Sequence, residues 1–208
     1  MQKHEYALLG GVNRANVGRL ISILAAFMSA TLVFIVLSLV DIAKSLAIPI
    51  NLPPTVLSLI GAGTVFGVLY MLFDKFIWKW GRISSLIRVP DLSGQWACSG
   101  QTLDNDGKPT HEWAGEVTII QTWDKIRIRL RTIKSGSNSI AAALMYDEVD
   151  GYRLLYNYVN DPEVGRSELR GHAGCANLVF SKDLNSATGD YFNGYGRSTF
   201  GTMKLVRK

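Results

Sequence analysis

The sequence predicts an N-terminal helical hairpin of membrane type, followed by an all-β domain that closes as an eight-stranded antiparallel up-and-down β-barrel. Three observations lead there. Two long uncharged runs occupy the first ninety residues, the hydrophobic period changes to two after Pro90, and Gly94-Gln95-Trp96 opens the first strand. Pro90 ends whatever helix precedes it, so the boundary is set at residues 1–89 and 90–208.

Charge supports this division. The whole chain of 208 residues is formally +5, but residues 1–89 carry eight Lys/Arg against three acids, while residues 90–208 carry fourteen of each. The excess basicity therefore belongs to the apolar part, where it orients spans in a bilayer. A formally neutral β-domain is not one that binds a DNA or RNA duplex through a general field.

Leu20 to Val40 is free of charge for 21 residues, enough at about 1.5 Å per residue to cross roughly 30 Å of hydrocarbon. Arg19 and Asp41 close it. A second uncharged run begins at Leu46, but Pro49, Pro53 and Pro54 delay the helix, so the second span is placed at 55–73. A cleaved signal peptide is the competing reading of the first run. Its apolar core would be too long, and Ser45-Leu46-Ala47 is a poor cleavage site. Lys3, Arg14 and Arg19 flank one end of the hairpin, Lys75, Lys79, Arg82 and Arg88 the other, and only Lys44 lies in the loop. Both termini and the β-domain are thus expected in the cytoplasm. Trp78 and Trp80 look like an interfacial aromatic belt. Gly63 and Gly67 form a GxxxG, and Ser22, Ala26 and Ala30 repeat every four residues. Such small residues either pack the two helices of one chain or bring protomers together. No ionisable group falls inside either span, which argues against a transporter or proton relay.

The eight strands are expected at 92–101, 112–122, 125–133, 139–147, 152–159, 168–180, 186–193 and 198–206, separated by turn signals such as Asp104-Asn105-Asp106-Gly107, Asp150-Gly151 and Asn193-Gly194. Short connections without intervening helices favour an up-and-down sheet, and eight strands close around side chains or one small ligand. A β-sandwich has the same strand count. The Gly94-x-Trp96 pair resembles the lipocalin signature. That resemblance implies an indole plugging the barrel floor and Arg207, from the last strand, packed over it.

Candidate ligand contacts come from alternation. In Ile126-Arg127-Ile128-Arg129-Leu130-Arg131 one face is aliphatic and the other carries three guanidinium groups. Either the arginines are solvated, or Arg131 near the strand end turns toward an anion at the mouth. Tyr152, Leu154, Tyr156 and Tyr158 share one face of their strand, with Arg153 on the other. Three tyrosines exceed what a core needs and suit stacking on nucleobases. Tyr191, Asn193, Tyr195 and Arg197 alternate across a segment containing Gly189, Gly194, Gly196 and Gly201. The ligand-binding candidates are Arg131, Tyr156, Tyr158, Arg153, Tyr195 and Arg197; the helix-packing candidates are Gly63, Gly67, Ala26 and Ala30. Cys98 and Cys175 read as free thiols, and His4, His111 and His172 are too scattered to make a metal centre. His111-Glu112 lacks a nucleophile context, and neither a phosphate loop nor a dinucleotide fingerprint occurs, so no catalytic residues, metal or cofactor are assigned.

Two spans, the aromatic-basic exit at Trp78-Lys79-Trp80, and Val89-Pro90-Asp91-Leu92-Ser93-Gly94-Gln95-Trp96 opening a strand-only domain together resemble the CBASS antiphage effectors known as SMODS-associating effectors. The resemblance covers the full length in layout and rests in motif on Pro-Asp-Leu-Ser-Gly-x-Trp. It implies a cyclic dinucleotide made by a partner cyclase, its capture by the cytoplasmic barrel, homo-oligomerisation, disruption of the lipid bilayer and cell death. Rival readings are a membrane-tethered lipocalin-like binder of an apolar molecule, its cavity lined by Ile126, Ile128 and Leu130, and a solid structural barrel.

Overall fold

The computed structural model describes residues 2–50, 53–133, 135–162, 171–194 and 198–208. Nine strands form one closed sheet: β1 (His4–Leu9), β2 (Gly94–Leu103), β3 (Pro109–Gln121), β4 (Lys125–Thr132), β5 (Ser135–Asp147), β6 (Gly151–Pro162), β7 (His172–Phe180), β8 (Ser186–Asn193) and β9 (Thr199–Arg207). The helices are α1 (Arg14–Ser45), α2 (Pro54–Leu59), α3 (Ala62–Lys75) and α4 (Gly81–Ile87). Two compact units result. One comprises Met1–Gly11 with Trp78–Lys208, the other Val12–Ile77.

In the helical unit α1 is longer than the uncharged run. Asn13 caps it, its side chain accepting the Ala15 amide at 2.8 Å, and the helix continues past Asp41 to Ser45. Pro54 stands at the first position of α2, where a missing N–H costs nothing. The second apolar segment breaks between α2 and α3 at Ile60–Gly61, leaving the Ile60 carbonyl without a helical partner. The Ser29 hydroxyl of α1 donates to it. Backbone polar groups in hydrocarbon need such a donor, so Ser29 accounts for the tolerance of the break. Val17, Ile21, Ala25 and Ser29, four apart, form the buried stripe of α1. Many apolar side chains outside that stripe are open, including Phe27 and Phe34 at 76% and 71% exposure. Both segments are long and apolar enough to cross a membrane.

In the sheet unit, β2 to β9 follow one another as antiparallel neighbours, and β9 returns to β2 through pairs from Trp96↔Arg207 to Leu103↔Phe200. The ring has nine strands rather than the expected eight. The extra one is β1, which precedes the first apolar helix. It lies antiparallel to β4 at His4↔Ile126 and parallel to β5 from Tyr6↔Ala142 to Leu9↔Met145.

Alternation decides what faces inward. Trp96, Cys98, Val117, Ile119, Ile126, Ile128, Leu154, Leu178 and Leu205 are all at most 3% exposed and fill one half of the interior. Trp96 anchors that half. Its ring meets Phe180 edge-on at 5.6 Å, and its indole N–H donates to the Leu92 carbonyl at 3.2 Å. Arg207 lies 4.5 Å over the ring and donates to the carbonyls of Asp91, Ser93 and Leu184.

The segment before Pro90 belongs to the same unit. Trp78 is fully buried there, whereas Trp80 is 63% exposed. The expected aromatic belt is therefore corrected at Trp78, whose ring is buried instead of open to an interface. Lys79 reaches Asp91 at 3.0 Å. Burial pushes the Asp91 pKa up, but hydrogen bonds from Ser93 and Lys79, with the Lys79 charge, outweigh it and leave the carboxyl below its usual range. Arg88 ends α4 in the left-handed conformation and packs over Tyr146 at 4.9 Å.

A lumen as the candidate ligand site

The half of the ring away from Trp96 encloses a cavity of about 440 Å³. That falls within the roughly 300–1,000 Å³ typical of small-molecule sites. Its wall is built by the inward positions of eight strands. β2 contributes Thr102, β3 Trp113, β4 Leu130 and Thr132, and β5 Ser135 and Ser137. β6 contributes Tyr156, Tyr158 and Asn160, β7 His172, β8 Tyr191 and Asn193, and β9 Thr199 and Met203. His111, Glu112 and Ile133 stand among the lining residues too, all of them exposed.

Glycines make room for the aromatic rings. A Cβ on Gly100 would sit 2.2 Å from the Trp113 indole, and one on Gly174 would sit 2.6 Å from the Tyr158 ring. Each ring therefore lies along the wall instead of across the cavity. Hydrogen bonds then hold the rings. The Trp113 N–H donates to the Tyr191 hydroxyl at 3.1 Å, and that hydroxyl bonds Thr102 Oγ1 at 2.8 Å. Tyr158 donates to Asn193 Oδ1 at 2.8 Å, while Asn193 Nδ2 donates to Thr199 at 2.7 Å. Asn160 Nδ2 lies 3.3 Å from His172 Nδ1. Such preset aromatic faces and oriented amides suit a flat, polar ligand.

At the base of the cavity Tyr156 is buried, and desolvation, with smaller contributions from Cys98 and Tyr158, drives its pKa upward. The Cys98 thiol, buried beneath, is pushed up to about 12. It is consequently a packing residue with almost no thiolate at neutral pH. Alkylating the native protein should label Cys175, which is partly exposed, and spare Cys98 until the chain is unfolded. Equal labelling of both in the native state, read by mass spectrometry, would contradict this placement.

The six expected ligand contacts separate clearly. Tyr156 and Tyr158 line the lumen. Arg131 and Arg153 project from the outer face, because the same alternation that buries Ile126, Ile128, Leu154 and Tyr156 sends their neighbours outward. Arg131 is exposed, and Arg153 lies 3.8 Å from Asp150. The turn of Arg131 into the mouth is thus corrected, and among the described residues lining the cavity there is no Lys or Arg. Tyr195 and Arg197 lie outside the described residues; the residues flanking them, Asn193 and Thr199, line the lumen. Trp113, Asn160, His172 and Ser137 were not expected. Trp113 shares its parity with Val117 and Ile119, a usable signal, whereas the Asn160↔His172 pairing depends on register. Of the packing residues, Ala26 and Ala30 are exposed one position off the buried stripe. A Cβ on Gly63 or Gly67 would meet nothing within 4 Å.

A closed sheet with a polar-aromatic lumen, in a chain with two apolar spans, defines a membrane-associated protein with a small-molecule receptor domain. The chain belongs to the Cap15 family: residues 87–207 match its cyclic dinucleotide receptor domain and residues 15–79 its TM helices. It is 44% identical over 207 residues to the CD-NTase-associated protein 15 of Yersinia aleksiciae, covering 100% of this chain and 98% of that one.

Proposed function

We propose that this chain is an antiphage effector whose lumen binds a cyclic dinucleotide supplied by a partner cyclase, and that binding drives oligomerisation, membrane disruption and cell death. The observation that carries the reading is the lumen walled by Trp113, Tyr156, Tyr158 and Tyr191, set within the part of the chain that matches a cyclic dinucleotide receptor domain. Bases would stack on these rings and meet the amides of Asn160 and Asn193. Arg197, two residues before Thr199 in the sequence, is the expected partner of a phosphate. The hydroxyl and amide groups of the wall favour this ligand over the apolar one of a lipocalin-like binder.

A hairpin topology is supported by β1. A strand that precedes the first apolar helix joins the same sheet as strands that follow the second, which supports a hairpin with both flanks on one side of the bilayer. With the basic flanks, that side is the cytoplasm. The open GxxxG face of α3 and the exposed Ala26 and Ala30 are available to a second protomer.

Calorimetric titration of the full-length protein in detergent with cyclic di-AMP, cyclic di-GMP, cyclic GMP–AMP and cyclic UMP–AMP tests the binding step. Absence of heat with every one, from folded protein, would sink the reading. Tyr158→Phe, which loses the bond to Asn193, should weaken binding about threefold to tenfold, in line with one hydrogen bond. Arg131→Ala and Arg153→Ala should leave affinity within about twofold, as neither side chain lines the cavity.

A further inference from the structure

We propose that β1 carries ligand occupancy of the lumen to the membrane segment by shifting its seat between β4 and β5. The inference rests on the lumen being the ligand site. β4 and β5 pair directly at Arg129↔Asn138, Leu130↔Ser137 and Arg131↔Gly136. Beyond that the register of β5 shifts between Ser139 and Ala141, the two strands part, and β1 fills the fork.

The fork begins at the lumen wall. Leu130 and Ser137, opposed in the middle rung, both line the cavity. The next inward residue of β5 is Ser139. Its hydroxyl accepts the Ile128 amide at 2.9 Å and lies 2.7 Å from Nε2 of His4 in β1. One rung therefore separates a ligand-facing side chain from β1. A ligand that spreads or tightens the Leu130–Ser137 rung changes where the strands divide. Among the described residues β1 is gripped antiparallel to β4 only at His4 and Glu5, so it is the strand that can yield.

The far end of β1 leads to the membrane. At Gly10, with φ 76°, a Cβ would lie 2.2 Å from the Tyr146 carbonyl oxygen, and at Gly11 one would lie 3.0 Å from the Ile87 carbonyl oxygen. The chain leaves the sheet through a gap that admits only glycine at Gly10, and Asn13 then caps α1. The other membrane flank is tied to the same strand. The Tyr6 hydroxyl donates to the Thr122 carbonyl and accepts from Gln121 Nε2, both at 3.2 Å. Gln121 also donates to the Pro90 carbonyl and accepts the Leu92 amide. Movement of β1 thus reaches both chain segments that connect the sheet to the apolar helices. The ligand drives it by its differential affinity for the two seats of the strand.

The test uses the full-length Ala7→Cys/Ala143→Cys variant. These residues are register partners on the outer face of β1 and β5, away from the lumen. Reconstituted in dye-filled phosphatidylethanolamine–phosphatidylglycerol vesicles, the oxidised and reduced forms are compared with the same cyclic dinucleotide panel. Hydrogen exchange of β1 is followed in parallel. The expected result is affinity within about twofold in both forms, ligand-altered exchange across Tyr6–Leu9 in the reduced form, and dye release at least about tenfold slower when oxidised. Equal release from both forms overturns the coupling role. So does ligand binding with unchanged β1 exchange, whether or not dye escapes. No binding by either form brings down the lumen reading itself, and this inference with it; heat of binding tells the two failures apart.

Discussion

Ser137→Phe is expected to reduce cyclic dinucleotide affinity by at least about 100-fold, a loss of roughly 2.7 kcal/mol, with little change in thermal stability. Ser137 is 8% exposed, on an inward position of β5, and its side chain borders the lumen. A phenyl group there enters empty space that the ligand needs, so the overpacking cost of about 1–3 kcal/mol seen in filled cores is largely avoided. Calorimetry gives the affinity and a melting curve reports the fold. Retained affinity with an intact melt would place the ligand elsewhere. Loss of both would show only that the wall cannot take the ring, and Thr132→Phe, at another lumen position, then repeats the test.

Trp96→Ala is the substitution expected to cost most stability, about 3–5 kcal/mol. The indole is fully buried, packs edge-on against Phe180 and lies under Arg207. Removing it leaves a void, strands the Leu92 carbonyl, and frees the guanidinium that fastens Asp91, Ser93 and Leu184. The melt of the sheet, followed by its far-ultraviolet signal, should fall by about 10 °C or more. Trp96→Phe keeps most of the packing and should recover more than half of that. An Ala variant melting with the parent would mean that this end of the ring is held by something other than Trp96.

Much of the architecture was legible because it follows from local pattern. The uncharged runs announced two apolar spans. Period-two segments announced eight of the nine strands within a few residues, and Gly94-x-Trp96 with Arg207 announced the packed end. Strand β1 was not legible. His4–Leu9 is six residues long, precedes an apolar run in the sequence, and finds its partners more than 100 residues away, at Ile126 and Ala142–Met145. Trp78 misled for a related reason. A Trp-Lys-Trp after an apolar run carries the same local signal whether the first indole meets lipid headgroups or a core.

The candidate site divides in the same way. Alternation alone placed Tyr156 and Tyr158 on one face, whereas it left open whether Arg131 meets solvent or turns into the mouth. The lumen itself could not be read. Whether an interior is solid or hollow depends on which inward positions of different strands fall at one level, and that depends on register. Gly100 beneath Trp113 and Gly174 beneath Tyr158 open the cavity only because the rings of neighbouring strands land on them.

What the sequence by itself determined is therefore the order of two apolar segments followed by a strand-only region, together with the alternation that puts Tyr156 and Tyr158 on one face. Both follow from periodicity and charge over a few adjacent residues. Only the tertiary structure decided that β1 joins the ring, that Trp78 is buried, and that the sheet encloses a lumen of about 440 Å³. These are set by packing between residues distant in the chain, where register and ring closure outweigh any local preference.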